Sequence, residues 1–469
     1  MQPTKHVNYL LLYLPFVIAL FLKSFPHSSY ILAWAGSFFI FYVCYRGLIK
    51  PLPSDLPIVE QLLRPMFFLQ IIFAGYMATT SIFYYIHALG YEYLTYVGNR
   101  PLMFGDVYES IAKCQRYYVL GHAAFAHGLL AGMRYASEKR YRIYTPSMSN
   151  LLLGISISCL PLGYFFFKFS SLSQFSVQLS GLSFVTGTIA LAFAIREHKK
   201  INIWGGGILF LLNLLAALTS GFKEPIIICF LLLGIFLLPI FGKKLIPLFI
   251  TLLIALFLVL PTFIGNFRRM VGKGVDPLTA RNESINRIVN SDNLVKDLRE
   301  DNWSFLTIRL SEIEMFIRFT ESTPTFVPYY NTTLVKDAIK TIIPRFFWPG
   351  KPNVEQLVMT RVYNAGVVDP SSNVSAKPAF IVDCYLSYGM IGIWIGLFLY
   401  GYIAQKLSEL AELWFGGYFM GTAVMFAGLF QILWRGNSFE FLFNAVFWSL
   451  VTMYLIKLIF KAKGILFKV

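Results

Sequence analysis

The chain has 469 residues, of which 57% are hydrophobic, 17% aromatic and only 14% charged, and its mean hydropathy is +0.62. Those proportions exclude a soluble globular enzyme and point to a membrane protein. The formal net charge of +16 would suggest nucleic acid in a soluble chain; here it is read first as membrane topology, and no nucleic-acid-binding motif competes.

Apolar residues fall in blocks of about 17 to 25 separated by charged punctuation, the length a helix needs to cross roughly 30 Å of hydrocarbon. The backbone must satisfy its own polar groups in lipid, so the expected fold is an all-α polytopic bundle. About twelve spans are predicted, at 8–23, 29–46, 66–88, 116–134, 148–168, 176–196, 201–219, 225–241, 245–264, 378–404, 417–434 and 440–460. The first block has no small-residue cleavage site near its end and reads as a retained helix. Lys and Arg in the short loops concentrate on one side, which becomes the inner side if both termini are cytoplasmic. The five cysteines are scattered, without metal-ligand or disulfide spacing, and read as small buried hydrophobes.

The chain divides into residues 1–265 with nine spans, a large outer loop at 266–375, and residues 376–469 with three spans and an inner tail. The loop holds half of all the acidic residues, and loops of that length are usually functional. Apolar periodicity predicts helices within it at 303–319 and 354–364.

Ionisable groups at the edges of spans are costly and often functional. Lys223 stands at the outer mouth of the eighth span, Arg268 and Arg269 follow the ninth, and Arg435 occupies the last outer hairpin. Asp383 lies about four residues into the tenth span with no cation evident nearby. The segment Ile343–Asn353, IPRFFWPGKPN, combines three prolines and three consecutive aromatics with Arg345 and Lys351. Each of these has a plain alternative: a flanking or snorkelling cation, an interfacial anchor, a wet helix start. Together, the predicted topology puts all of them on the outer side, and guanidinium forks and ammonium groups there suit a phosphate at the lipid boundary. His122 and His127 are five residues apart on different helix faces, which disfavours a two-histidine metal site, and no metal ligand set is predicted. The loop has no histidine, so acid or base chemistry would fall to Glu312, Glu314, Asp369 or Asp383.

This layout resembles the bacterial Wzy-type polysaccharide polymerases, which join undecaprenyl-pyrophosphate-linked repeat units of O antigen or exopolysaccharide. IIPRFFWPGKPN is similar to the Pro-Arg-aromatic-Trp-Pro-x-Lys-Pro segment of their large outer loop. SAKPAFIVDCYLSYGMIGIWIG, SGFKEPIII and WRGNSFEF resemble neighbouring elements, so the likeness covers roughly residues 200–450. It implies a metal-independent glycosyltransferase without cofactor, in the inner membrane, using a lipid-linked oligosaccharide as donor and acceptor. A chain-length regulator and a flippase of the same pathway are implied partners, alongside membrane lipids. On that reading Arg345, Lys351, Arg268, Arg269, Lys223 and Arg435 neutralise the pyrophosphate leaving group. Asp383 first, or Glu312 second, takes the proton of the acceptor hydroxyl. The alternatives are an O-antigen ligase-like transferase, whose loop would carry a histidine, and a flippase or transporter, which would show internal repeats.

Overall fold

The computed structural model describes residues 8–90, 106–135, 141–169, 172–219, 224–290, 294–371 and 375–469. In chain order the first half contains α1 (Leu10–Phe21), α2 (Pro26–Tyr45), α3 (Phe68–Ile72), α4 (Ser81–Ala88), α5 (Val107–Gly132), α6 (Met148–Phe167), α7 (Ser173–Arg196), α8 (Lys200–Thr219), α9 (Glu224–Phe241) and α10 (Leu245–Gly272). The second contains α11 (Pro277–Val289), α12 (Leu294–Ser304), α13 (Ile313–Ser322), α14 (Thr333–Ile342), α15 (Val354–Asn364), α16 (Phe380–Trp414), α17 (Ala427–Leu429), α18 (Gln431–Arg435) and α19 (Phe439–Ala462). Among the described residues, seven candidate spans are long and apolar enough to cross a membrane, including Pro26–Tyr45, Phe380–Trp414 and Phe439–Ala462. The molecule is therefore an all-α membrane protein, with helices because lipid leaves the backbone no other partner.

Several expected spans are not straight helices. The 66–88 block is divided into α3, a π-helical turn at Phe73–Ala78, and α4. The 417–434 block becomes a π-helical segment at Phe419–Phe426 followed by the short α17 and α18. Apolar composition records that a segment is buried; it does not record whether the backbone inside it is continuous.

The centre of the bundle is the crossing of α5 and α16. A side chain on Gly128 would collide with the carbonyl of Phe398, and one on Gly401 with the carbonyl of Phe125, so each helix approaches the other's backbone at a glycine. Small residues at such crossings supply the close van der Waals contact that joins helices where lipid offers no hydrophobic driving force.

α5 has 26 residues and is about 39 Å long at 1.5 Å per residue, so its ends lie at opposite ends of the bundle. At its C-terminal end, Lys50 donates to the carbonyls of Leu130 and Met133. Strand β1 (Tyr141–Ile143) pairs antiparallel with β2 (Leu466–Lys468) at this same end. Here too the buried Arg64 donates to both oxygens of Glu412, at 2.9 and 2.7 Å, and to both oxygens of Asp55, at 2.7 Å each. The ring of Tyr135 lies 3.9 Å from that guanidinium.

At the opposite end lie the helices of the 266–375 region. α10 continues as helix to Gly272, so Arg268 and Arg269 sit on its last turns and not in a loop. Phe267 and Met270 pack there on Ala280 of α11. The helix expected at 303–319 is interrupted: a π-helical turn at Phe305–Leu310 ends before Glu312, whose φ of +46° is left-handed, and α13 starts at Ile313. The helix expected at 354–364 is α15.

Candidate functional site

The tenth expected span does not begin as one helix. Tyr388 (φ −147°, ψ 30°) and Gly389 (φ 59°, ψ −139°) are non-helical and divide α16 into a half-helix, Phe380–Ser387, and a long helix from Met390 onward. A straight helix would place Cys384 about 12 Å along the axis from Gly392. Instead a side chain on Gly392 would strike the Cys384 carbonyl, and one on Gly396 its Sγ, so the half-helix folds back against the long one. Only glycine suits Gly389, because its φ is positive and the Tyr329 hydroxyl stands 2.8 Å from where a Cβ would be. The half-helix ends are satisfied by other segments: Phe380 N donates to Gly436 O, while Tyr330 N and Asn331 N donate to the carbonyls of Leu386 and Ser387. Irregular backbone is tolerated at this break because the Tyr329–Asn331 segment supplies partners to the last carbonyls before it.

Asp383 lies on this half-helix and is fully buried. The cation that sequence position did not reveal is Arg361 of α15, whose Nε and Nη2 donate to the two Asp383 oxygens at 2.9 Å each. Arg361 also donates from Nη1 and Nη2 to Glu440 at 2.7 Å. All three side chains are at most 2% exposed. Two carboxylates against one guanidinium leave an excess negative charge, and the N-terminus of α19 faces it: the backbone N–H of Phe439 donates to Asp383 at 2.9 Å. Asp383 thus caps a helix from a distant segment, and Glu440 occupies that helix's first turn, where the dipole favours an anion. Burial works against the charge on Arg361, but the facing carboxylates outweigh it and hold its pKa above the ordinary arginine value.

Beside this triad, an apolar cavity of about 720 Å³ runs between α14, α16 and α19. Its lining includes Ile342, Cys384, Tyr388, Ile395, Leu399 and Phe447. Ile391 is 63% exposed along one side, so the cavity is a groove open to the outside of the bundle along a candidate membrane span.

Arg345 and Lys351 belong to the turn that leaves the groove-lining end of α14. The Lys351 ammonium donates to the carbonyls of Thr341 and Ile343, closing the end of α14, and Trp448 Nε1 donates to Ile342 O at 2.9 Å. Arg345 is exposed and close enough to Lys351 to act on it. Burial first, and this neighbouring cation second, push the Lys351 pKa below the usual 10.5.

The remaining predicted residues are not gathered there. Arg268 and Arg269 are exposed on α10, which packs with α9, α11 and α12, whereas α14 packs with α19 and α16. Glu312 is half-buried at the start of α13 and acts electrostatically on Tyr118. Lys223 lies outside the described residues; Arg435 closes α18, and its side chain is outside the description as well. Arg361 and Glu440 were missed by sequence reasoning. The available signal was an arginine within the apolar face of α15, among the buried Val358, Met359 and Val362.

Broken helices, a buried ion triad and an open apolar groove are features of an all-α membrane protein with a built site at one end. The chain belongs to the DUF8712 family, a domain of unknown function, whose profile matches residues 14–468. No curated protein and no solved structure matches it.

Proposed function

We propose that this protein is a polysaccharide polymerase that transfers glycan from an undecaprenyl-pyrophosphate-linked donor to the sugar of another lipid-linked repeat unit. In this reading it sits in the bacterial inner membrane with twelve crossings, both termini cytoplasmic and the large loop outside, working with a flippase and a chain-length regulator. The observation that supports it is the 720 Å³ apolar groove whose α14 end carries Lys351 and Arg345. A long isoprenoid chain fits an apolar groove open to lipid, and its pyrophosphate suits an ammonium and a guanidinium at the end of that groove.

The acceptor hydroxyl oxygen forms a bond to the anomeric carbon of the donor as the bond from that carbon to the pyrophosphate breaks. The electron pair leaves with the lipid pyrophosphate, whose growing charge Arg345 and Lys351 stabilise. The hydroxyl proton passes to a carboxylate. Asp383 has both oxygens held by Arg361, so in this reading it positions the half-helix and is not the carboxylate that takes the proton.

The test is purified protein in liposomes with lipid-linked repeat units. A ladder of products is expected, and Arg345→Ala should reduce it at least tenfold, the effect of about 1.4 kcal/mol of lost transition-state stabilisation. One transfer onto a lipid core would mean ligase chemistry instead, and no covalent product would overturn the proposal.

A further inference from the structure

The apolar arc of α14 is wider than its protein contacts require. Leu334, Ala338 and Thr341 are buried, and α14 packs on α19. At 100° per residue the arc continues through Ile342, Val335, Ile339 and Ile343 before Lys336 and Lys340 end it. Protein covers the first half only: Ile339 is 54% exposed and Ile343 43%. The turn that follows extends the same strip with Phe346, 69% exposed, and Phe347, 74% exposed, the two rings packed edge to face at 5.1 Å.

We infer that α14 and its Phe346–Phe347 turn form a membrane-inserted element, with the phospholipid bilayer interface as the partner that covers this strip. Two observations select that partner. The strip is continuous with the exposed apolar flank of two candidate membrane spans, since Val335 and Ile342 share the groove with Tyr388 and Ile391 of Phe380–Trp414 and Phe447 of Phe439–Ala462, which are 48%, 63% and 43% exposed. It is also flanked by Lys336, Lys340, Arg345 and Lys351, against the single acid Asp337, a charge pattern that complements lipid phosphates. A loop pointed into water would leave two adjacent phenylalanines exposed without cover. The inference is independent of the polymerase reading, because it concerns where the segment sits and not what it transfers.

The test uses the full chain reconstituted in phosphatidylcholine vesicles containing a minority of phosphatidylglycerol, with Phe347→Cys labelled by an environment-sensitive dye. The five native cysteines are buried, and mock-labelled wild type measures their background. Ile391→Cys provides a lipid-facing reference and Asn282→Cys, exposed on α11, an aqueous one. The expected result is blue-shifted emission at position 347, quenched by lipid-borne nitroxide as strongly as the 391 label and protected from iodide. Quenching by iodide equal to that at 282, with no response to the lipid nitroxide, would overturn the inference. Phe346→Cys repeats the measurement on the neighbouring ring, so one poorly folded variant does not decide the outcome.

Discussion

The two ends of the bundle solve the same electrostatic problem differently. At one, Arg64 bridges Asp55 and Glu412; at the other, Arg361 bridges Asp383 and Glu440. Both arginines are buried, but Asp55 is 47% exposed and Glu412 11%, whereas Asp383 and Glu440 are at most 1% exposed. The first clamp keeps one carboxylate in water and adds the Tyr135 ring beneath the guanidinium. The second has no water to fall back on and uses the N-terminus of α19 instead. A clamp of the first kind holds two surface segments together. The second kind is a closed unit in which every charge depends on the other two, and the backbone it fixes lines the groove.

The difference can be tested by breaking each clamp. Arg361→Ala strands two buried carboxylates and should cost about 3–5 kcal/mol, read as lost thermal stability in detergent. Arg64→Ala should cost clearly less, because Asp55 rehydrates in place; equal losses would mean that burial is not what separates the clamps. Replacing the whole Arg361 triad by Arg361→Met, Asp383→Asn and Glu440→Gln should recover most of that loss, since a neutral set of similar volume no longer buries charge. Gly392→Ala should cost about 1–3 kcal/mol by forcing the half-helix away from the long helix, again in thermal unfolding. Arg345→Ala should change stability by less than about 0.5 kcal/mol, because that side chain is exposed, while still reducing product. The smallest effect concerns pH. Lys351 has a lowered pKa, so it becomes neutral at a lower pH than an ordinary lysine, and an anion held by it should weaken as pH rises on the alkaline side. Lys351→Arg should remove that dependence in donor-binding measurements.

Much of the architecture was legible because lipid imposes a simple rule: long apolar runs become helices, and α2, α6, α7, α8 and α19 follow the predicted blocks to within a few residues at most boundaries. The breaks were not legible. YGMIGIWIG reads as a glycine-rich helix, and nothing in its hydropathy distinguishes a straight helix from one folded back at Gly389. At the site, Asp383 stood out as a charge in an apolar run, and Arg345 and Lys351 by their proline-rich setting. Their partners did not, because Arg361 lies in a helix that looks amphipathic and ordinary, and only tertiary packing makes its face a buried one. The grouping of six cations was a consequence of topology alone; among the described side chains, the structure brings Arg345 and Lys351 together and leaves Arg268 and Arg269 on another helix layer.

The Arg361–Asp383–Glu440 triad also sets an order of events during synthesis. Arg361 and Asp383 emerge from the ribosome well before Glu440, and the amide that completes the Asp383 cap belongs to Phe439. Until α19 enters the membrane, Arg361 lacks its second carboxylate partner, Asp383 lacks the Phe439 amide, and the groove lacks one wall. The last helix therefore acts as a keystone: a nascent chain that has threaded every earlier segment still cannot close its site until this one arrives.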